Sequence, residues 1–251
     1  MIYIGTSGYY YKDWIGTVYP DSTNQKKMFE AYTEKALNAV ELNFSYYRLP
    51  SATMLKNFSK KAPDDFRYII KAYKGITHTY NDIDTVKTFA DNYREGNVNN
   101  NFGGILLQFP ESFHKNSENT DSLLERTEPL KNIPTFIEFR GSDWNKTEVY
   151  DTLREHNLNY VTVDLPDKKN LHNRVIAKTG PLGYFRFHGR NKNWYDADDR
   201  YNYNYSDGEL NIFSKEIKNS SEDFDDVYIF FNNCHGGFAL KNALSLKDKL
   251  Q

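Results

Sequence analysis

Short runs of β-branched and aromatic residues recur along the chain, separated by segments whose apolar positions repeat at helical spacing. The runs are IYIGT (2–6), AVELN (39–43), RYIIK (67–71), GILLQ (104–108), TFIEFR (135–140), YVTVD (160–164), YFRFH (184–188) and VYIFFN (227–232). The amphipathic segments include QKKMFEAYTEKAL, SATMLKNFSKKA, DIDTVKTFADNY, SDGELNIFSKEI and GGFALKNALSLKDKL, several of them opening on a Ser or Asp that can cap a helix. Ser206 and Glu209 have the spacing of a capping box. Strand and helix patterns in alternation predict repeated β-α units on a parallel sheet.

Eight such units in 251 residues, with no Pro/Gly/Ser linker or break in composition, predict an α/β fold: one closed (β/α)8 barrel of the TIM type, a single domain over residues 1–251. The stretch DKKNLHNRVIAKTGPLG after the sixth strand has little apolar periodicity, so an irregular unit is expected there. A doubly wound open sheet is the alternative arrangement of the same elements.

Residues two apart on a strand share a face. The C-terminal strand ends carry Thr6, Glu41 with Asn43, Lys71, Gln108, Glu138 with Arg140, Asp164, Arg186 with His188, and Asn232. The intervening Val40, Leu42, Ile137, Phe139, Val161, Val163, Phe185 and Phe187 are apolar and are expected to face the helices. The polar series is then expected to converge at the C-terminal mouth, where barrels of this type place their active sites.

Seven stretches resemble the DUF72 (YecE-like) family almost from end to end: GTSGYYYKDWIGTVYP, VELNFSYYRLPS, KAYKGITH, LLQFPESF, IEFRGSDW, RFHGR and FFNNCHGGFALKNA. The family often has Trp-Ser-Tyr where this chain has Tyr9, Tyr10 and Tyr11. The resemblance implies a TIM barrel and no established activity, so function has to be argued from the site.

At the expected mouth Glu41, Glu138 and Asp164 oppose Lys71, Arg140 and Arg186, with His188 and His78 able to titrate. One reading of this nearly neutral set is an interior ion-pair network, because an unpaired buried charge costs several kcal/mol. The other is a site for an anionic group, since Arg presents a planar fork to phosphate or carboxylate and Lys adds a point charge. In that reading Glu138, Asp164, His188 and Glu41 are the catalytic candidates, with Glu138 or Asp164 as general base. Lys71, Arg140, Arg186, Asn43, Gln108, Asn232, Tyr11, Trp14, Tyr46, Tyr47, His78 and Trp144 are the candidates for holding substrate.

Composition adds a second clue, because 16% of the residues are aromatic and 20 are Tyr. The segments after strands one, two, five and seven hold Tyr9, Tyr10, Tyr11, Trp14, Tyr46, Tyr47, Trp144, Trp194, Tyr195, Tyr201, Tyr203 and Tyr205, a rim suited to stacking sugars or bases. The segment 189–205 exceeds the usual βα loop length and has the character of a lid. A turn at Gly236 and Gly237 before the last helix offers backbone N–H groups to a phosphate. No metal site and no cofactor is expected: HxH and HExxH spacings are absent, and three cations crowd the mouth.

The balance of 32 basic and 34 acidic residues, net charge −2, excludes a strongly basic polyanion-binding surface, so any nucleic-acid contact needs a local patch. No apolar run approaches a membrane span, the first residues lack a signal-peptide pattern, and the single Cys234 forms no internal disulfide. The expected setting is the cytoplasm. The leading functional expectation is an enzyme acting on a phosphorylated or otherwise anionic small molecule, a hydrolase, isomerase or lyase with a carboxylate base. Its rivals are a metal-dependent phosphodiesterase of the endonuclease-barrel kind and a non-catalytic binder of nucleic acid or metabolite.

Overall fold

The computed structural model describes residues 1–80 and 82–251. Strands β1 (Ile2–Ser7), β2 (Ala39–Leu42), β3 (Arg67–Lys71), β4 (Phe102–Gln108), β5 (Thr135–Glu138), β6 (Asn159–Asp164), β7 (Leu182–Phe187) and β8 (Asp226–Phe231) pair in parallel in chain order. β8 pairs with β1, which closes the barrel and leaves no sheet edge.

Helices α1 (Met28–Thr33), α2 (Phe44–Tyr47), α3 (Ala52–Ser59), α4 (Lys74–Thr77), α5 (Ile83–Gly96), α6 (Ser117–Thr127), α7 (Thr147–Glu155), α8 (Asp207–Ser221) and α9 (Phe238–Leu250) lie between or after the strands. Their starts follow local chemistry. Ser51 and Asp82 accept hydrogen bonds from the amides of Met54 and Thr85, and Ser206 and Glu209 form the expected capping box. No helix joins β6 to β7, so the unit after the sixth strand is irregular as its weak periodicity implied. Among the described residues, no helix is long and apolar enough to cross a membrane.

Two hydrophobic layers result. Val40, Leu42, Ile70, Ile137, Phe139, Phe185 and Phe231 point outward into the core shared with the helices. Tyr3, Ala39, Ile69, Leu106, Phe136, Val161, Val163, Tyr184, Tyr228 and Phe230 fill the barrel interior. This packed interior puts a solid bottom beneath the mouth, as side-chain layers do in barrels of this size.

Register corrects the parity expectation at two strands. Val163 is the neighbour of Arg186, and Asp164 that of Phe187. Register neighbours in a parallel ladder point to the same side. Arg186 faces inward and Phe187 outward, so Val161 and Val163 belong to the interior while Asp164 faces the helices. Thr6 is likewise outward, its hydroxyl 3.1 Å from Tyr32 Oη on α1, and Ser7 is the inward neighbour of Glu41.

Candidate active site at the barrel mouth

The floor of the mouth is built on β2, β5 and β7. Arg186, fully buried, donates from Nη2 to Glu41 Oε1 (2.6 Å), from Nε to Glu41 Oε2 (2.9 Å) and from Nη1 to Glu138 Oε2 (2.9 Å). Tyr184 Oη donates to Glu41 Oε2 at 2.8 Å. Glu138 Oε1 accepts from Arg140 Nε at 3.0 Å and faces His188 Nε2 at 3.1 Å. Every carboxylate oxygen of the pair therefore has a donor, the condition for keeping charge in a dry interior. Burial opposes ionisation of Glu138, but Arg186, His188 and Arg140 outweigh it and hold its carboxyl well below the usual range.

His188, two residues beyond Arg186 toward the mouth, has no exposed surface and lies 6.1 Å from the Trp194 ring of the covering loop. Asn232 Nδ2 sits 2.9 Å from its Nδ1. Burial, with Arg140 next in weight, pushes the imidazole down to about 3, so it is neutral at ordinary pH. The tautomer assigned by its partners donates from Nε2 to Glu138 and accepts at Nδ1 from Asn232.

Above the floor opens a cavity of about 1060 Å³. Of the expected site residues, Glu41, Asn43, Lys71, Gln108, Arg140, Arg186 and Asn232 line it from the strand ends, Tyr46 and Tyr47 from α2, and Tyr11 and His78 from the segments after β1 and β3. Lys71 Nζ donates to Gln108 Oε1 at 3.0 Å and lies 4.7 Å from the Tyr46 ring centroid. Burial and the nearby Arg186 lower its ammonium to about 8. Burial, then Lys71, lowers His78 to about 4. Asn43 Oδ1 and Ser7 Oγ are buried without a hydrogen-bond partner among the described residues.

The loop 189–205 folds over the cavity. Gly189 starts it at φ +87°, where a Cβ would meet Tyr203 Cβ at 2.7 Å, so a side chain there is both strained and blocked. Asn191 Nδ2 braces the loop on the carbonyls of Asp199 (2.7 Å) and Asn202 (3.0 Å). Two guanidinium groups approach the Trp194 ring, Arg140 at 5.2 Å and Arg200 at 5.3 Å from its centroid. Burial resists ionisation of the Tyr201 phenol, but Arg140, Lys71 and Arg186 prevail and lower it to about 8. Trp194, Tyr201 and Arg200 carry more of the site than sequence parity revealed, since loop residues have no strand period to read.

Asp164, Trp14 and Trp144 depart from their expected places. Asp164 sits on the outer face, bound by Arg190 Nη2 (2.7 Å), Arg174 Nη1 (3.1 Å) and Tyr205 Oη (2.7 Å). Tyr205 Oη also accepts from the Gly189 amide at 2.8 Å, so Asp164 ties both ends of the covering loop together. Trp14 is fully buried and donates from Nε1 to the Cys234 carbonyl at 2.6 Å. Trp144 stacks against Phe139 (4.2 Å) and Phe113 (5.3 Å) as core. The turn at Gly236 is also occupied: its amide donates to Asp13 Oδ2 at 2.7 Å, a carboxylate where a phosphate was expected. Among the described residues, no three His, Cys, Asp or Glu side chains are grouped to hold a metal ion.

A family model described as "Protein of unknown function DUF72" matches residues 3–251. The chain belongs to the DUF72 family. A crystal structure of a DUF72 protein from Thermotoga maritima is similar over 100% of this chain and 99% of that one, at 32% identity and a TM-score of 0.92. UPF0759 protein YunF of Bacillus subtilis is 28% identical over 100% of this chain and 95% of its own length. Outside DUF72, a D-psicose 3-epimerase structure shares the fold over 91% of each chain, at 11% identity and a TM-score of 0.50.

Proposed function

We propose that this DUF72 barrel is an enzyme acting on a small anionic molecule that carries a ring, its anionic group held by Arg140 and Lys71 and its ring by the aromatic rim. One observation carries the reading. On the floor, Glu41 and Glu138 oppose Lys71, Arg140 and Arg186, and all four carboxylate oxygens are engaged by Arg186, Arg140, His188 and Tyr184. The remaining positive charge faces the cavity. Charge of this sign is also what lowers the Tyr201 phenol against its burial.

The rim supports the ring. Tyr10, Tyr47 and Tyr195, exposed by 44%, 73% and 58%, all line this one cavity. Exposed rings at a cavity edge offer stacking of about 1–3 kcal/mol per base. Asn43 Oδ1 supplies an acceptor for a ligand hydroxyl. In this reading Glu41, Glu138 and His188 orient the arginines, and none is the general base.

Calorimetric titration with inorganic phosphate, ribose 5-phosphate and adenosine monophosphate tests it. Arg140→Gln is expected to weaken all three by roughly tenfold to a hundredfold, the worth of one charge-assisted hydrogen bond. Tyr47→Ala is expected to weaken the nucleotide while leaving inorganic phosphate unchanged. No binding of any of the three by the wild-type chain overturns the reading.

A further inference from the structure

We infer that Lys71 is a nucleophilic amine, placed to condense with the carbonyl carbon of an anionic carbonyl compound and form an imine. The inference rests on the anion-binding reading above and names the reacting group and substrate class; when Lys71 attacks as the neutral amine, Arg140 is left to hold the anionic group. Geometry comes first. Lys71 ends β3 with Nζ in the cavity, and its hydrogen bond is to a neutral amide, Gln108 Oε1. Two carboxylates share the floor, yet the ion pairs there join Glu41 and Glu138 to Arg186, Arg140 and His188. Among the described residues, none of these pairs includes Lys71. The arginines thus take the partners that would otherwise hold a lysine charged and unreactive.

The surroundings favour the neutral amine. Burial is the largest influence and Arg186 the next, both lowering the ammonium, while Glu41, Tyr201 and Glu138 pull the other way and leave it at about 8. His78 and Tyr46 complete the groups facing it. At about pH 7.5 such a lysine is roughly a quarter neutral, against roughly one part in a thousand for an ordinary one. Desolvation beside a second cation is a known route to an amine nucleophile.

The step balances with groups on the page. The Nζ lone pair bonds to the carbonyl carbon and the C=O π pair moves to oxygen, which takes a proton as Nζ loses one, giving a carbinolamine. The C–O bond then breaks and the oxygen leaves as water with a proton from the Tyr201 phenol. The Nζ lone pair forms the C=N bond of a protonated imine. Tyr201, in the charge field of Arg140 and Lys71, is suited to return and recover that proton.

Pyridoxal 5′-phosphate, an anionic aldehyde, is the probe. The full chain is treated with it at about pH 7.5 and reduced with borohydride, and the modified lysines are mapped by mass spectrometry. Lys71 is expected to be labelled at least tenfold faster than any other lysine, and excess inorganic phosphate to slow it. Tyr201→Phe is expected to slow labelling at Lys71 alone, and Lys71→Arg to abolish it while keeping the wild-type melting temperature. Labelling spread over other lysines, with Lys71 no faster than they are, overturns the inference. Phosphate binding by the unlabelled wild-type protein, measured separately, shows whether the anion reading fails with it or survives alone.

Discussion

Replacing Arg186 with alanine is expected to cost about 3–5 kcal/mol of stability, because it leaves two carboxylates in the interior without their shared partner. Arg186 donates three short hydrogen bonds to Glu41 and Glu138, and all three residues are at most 1% exposed. After the substitution Glu41 keeps Tyr184, and Glu138 keeps Arg140 and His188. Neither set neutralises both charges. Because breaking a buried pair costs more than removing it whole, the double variant Glu41→Gln, Arg186→Met, which leaves Glu138 paired with Arg140, is expected to recover much of the loss. Urea denaturation of the two variants and the wild type measures both effects. A single variant within about 1 kcal/mol of wild type would show that Arg186 is not the keystone of the floor.

The second large effect is acid destabilisation through His188. Below about pH 6.5 the unfolded chain takes up a proton on this imidazole that the folded chain, its own value pushed down to about 3, refuses. Stability is therefore whole above about pH 6.5 and falls as pH drops. The loss from this group alone is expected to be about 3 kcal/mol between about pH 7 and about pH 4. His78, lowered to about 4, falls in the same window, and Glu138, held well below its ordinary range, extends the loss to lower pH. Unfolding measured at intervals of pH should show a shallower slope in His188→Gln by about that amount, whatever the variant's stability at neutral pH. Equal slopes in both proteins would mean that the buried imidazole takes its proton as readily as a free one.

The two experiments separate holding the floor together from holding a ligand. Arg186 and His188 act on stability through the buried contacts they make with Glu41 and Glu138. Arg140 and Lys71 face the cavity, so their replacement is read in binding or labelling.

Much of this arrangement is legible in the chain itself. Eight runs of strand-forming residues, helical spacing between them and caps such as Ser51, Asp82 and Ser206 determine the β-α repeat, because hydrogen-bond periodicity and capping are local. Period-two alternation also placed Glu41, Lys71, Gln108, Glu138, Arg140, Arg186 and His188 on inward faces. The same alternation could not orient β6, where Thr162 and Asp164 share one face and Val161 and Val163 the other. A polar tip can turn toward the mouth or toward charged partners outside, and only the pairing of Val163 with Arg186 decides between them. Depth was beyond the chain's pattern for the same reason. Trp14 and Trp144 follow strands on the rim side, yet they are core because Cys234 and Phe113 come to them from distant parts of the chain. Trp194 and Tyr201 lie in a loop without periodicity. They become part of the site because Asp164, Tyr205 and Gly189 draw its ends together and fold it over Arg140. What local spacing specifies is which side chains alternate; which of them meet depends on closure of the barrel, since the contacts join residues far apart in the chain.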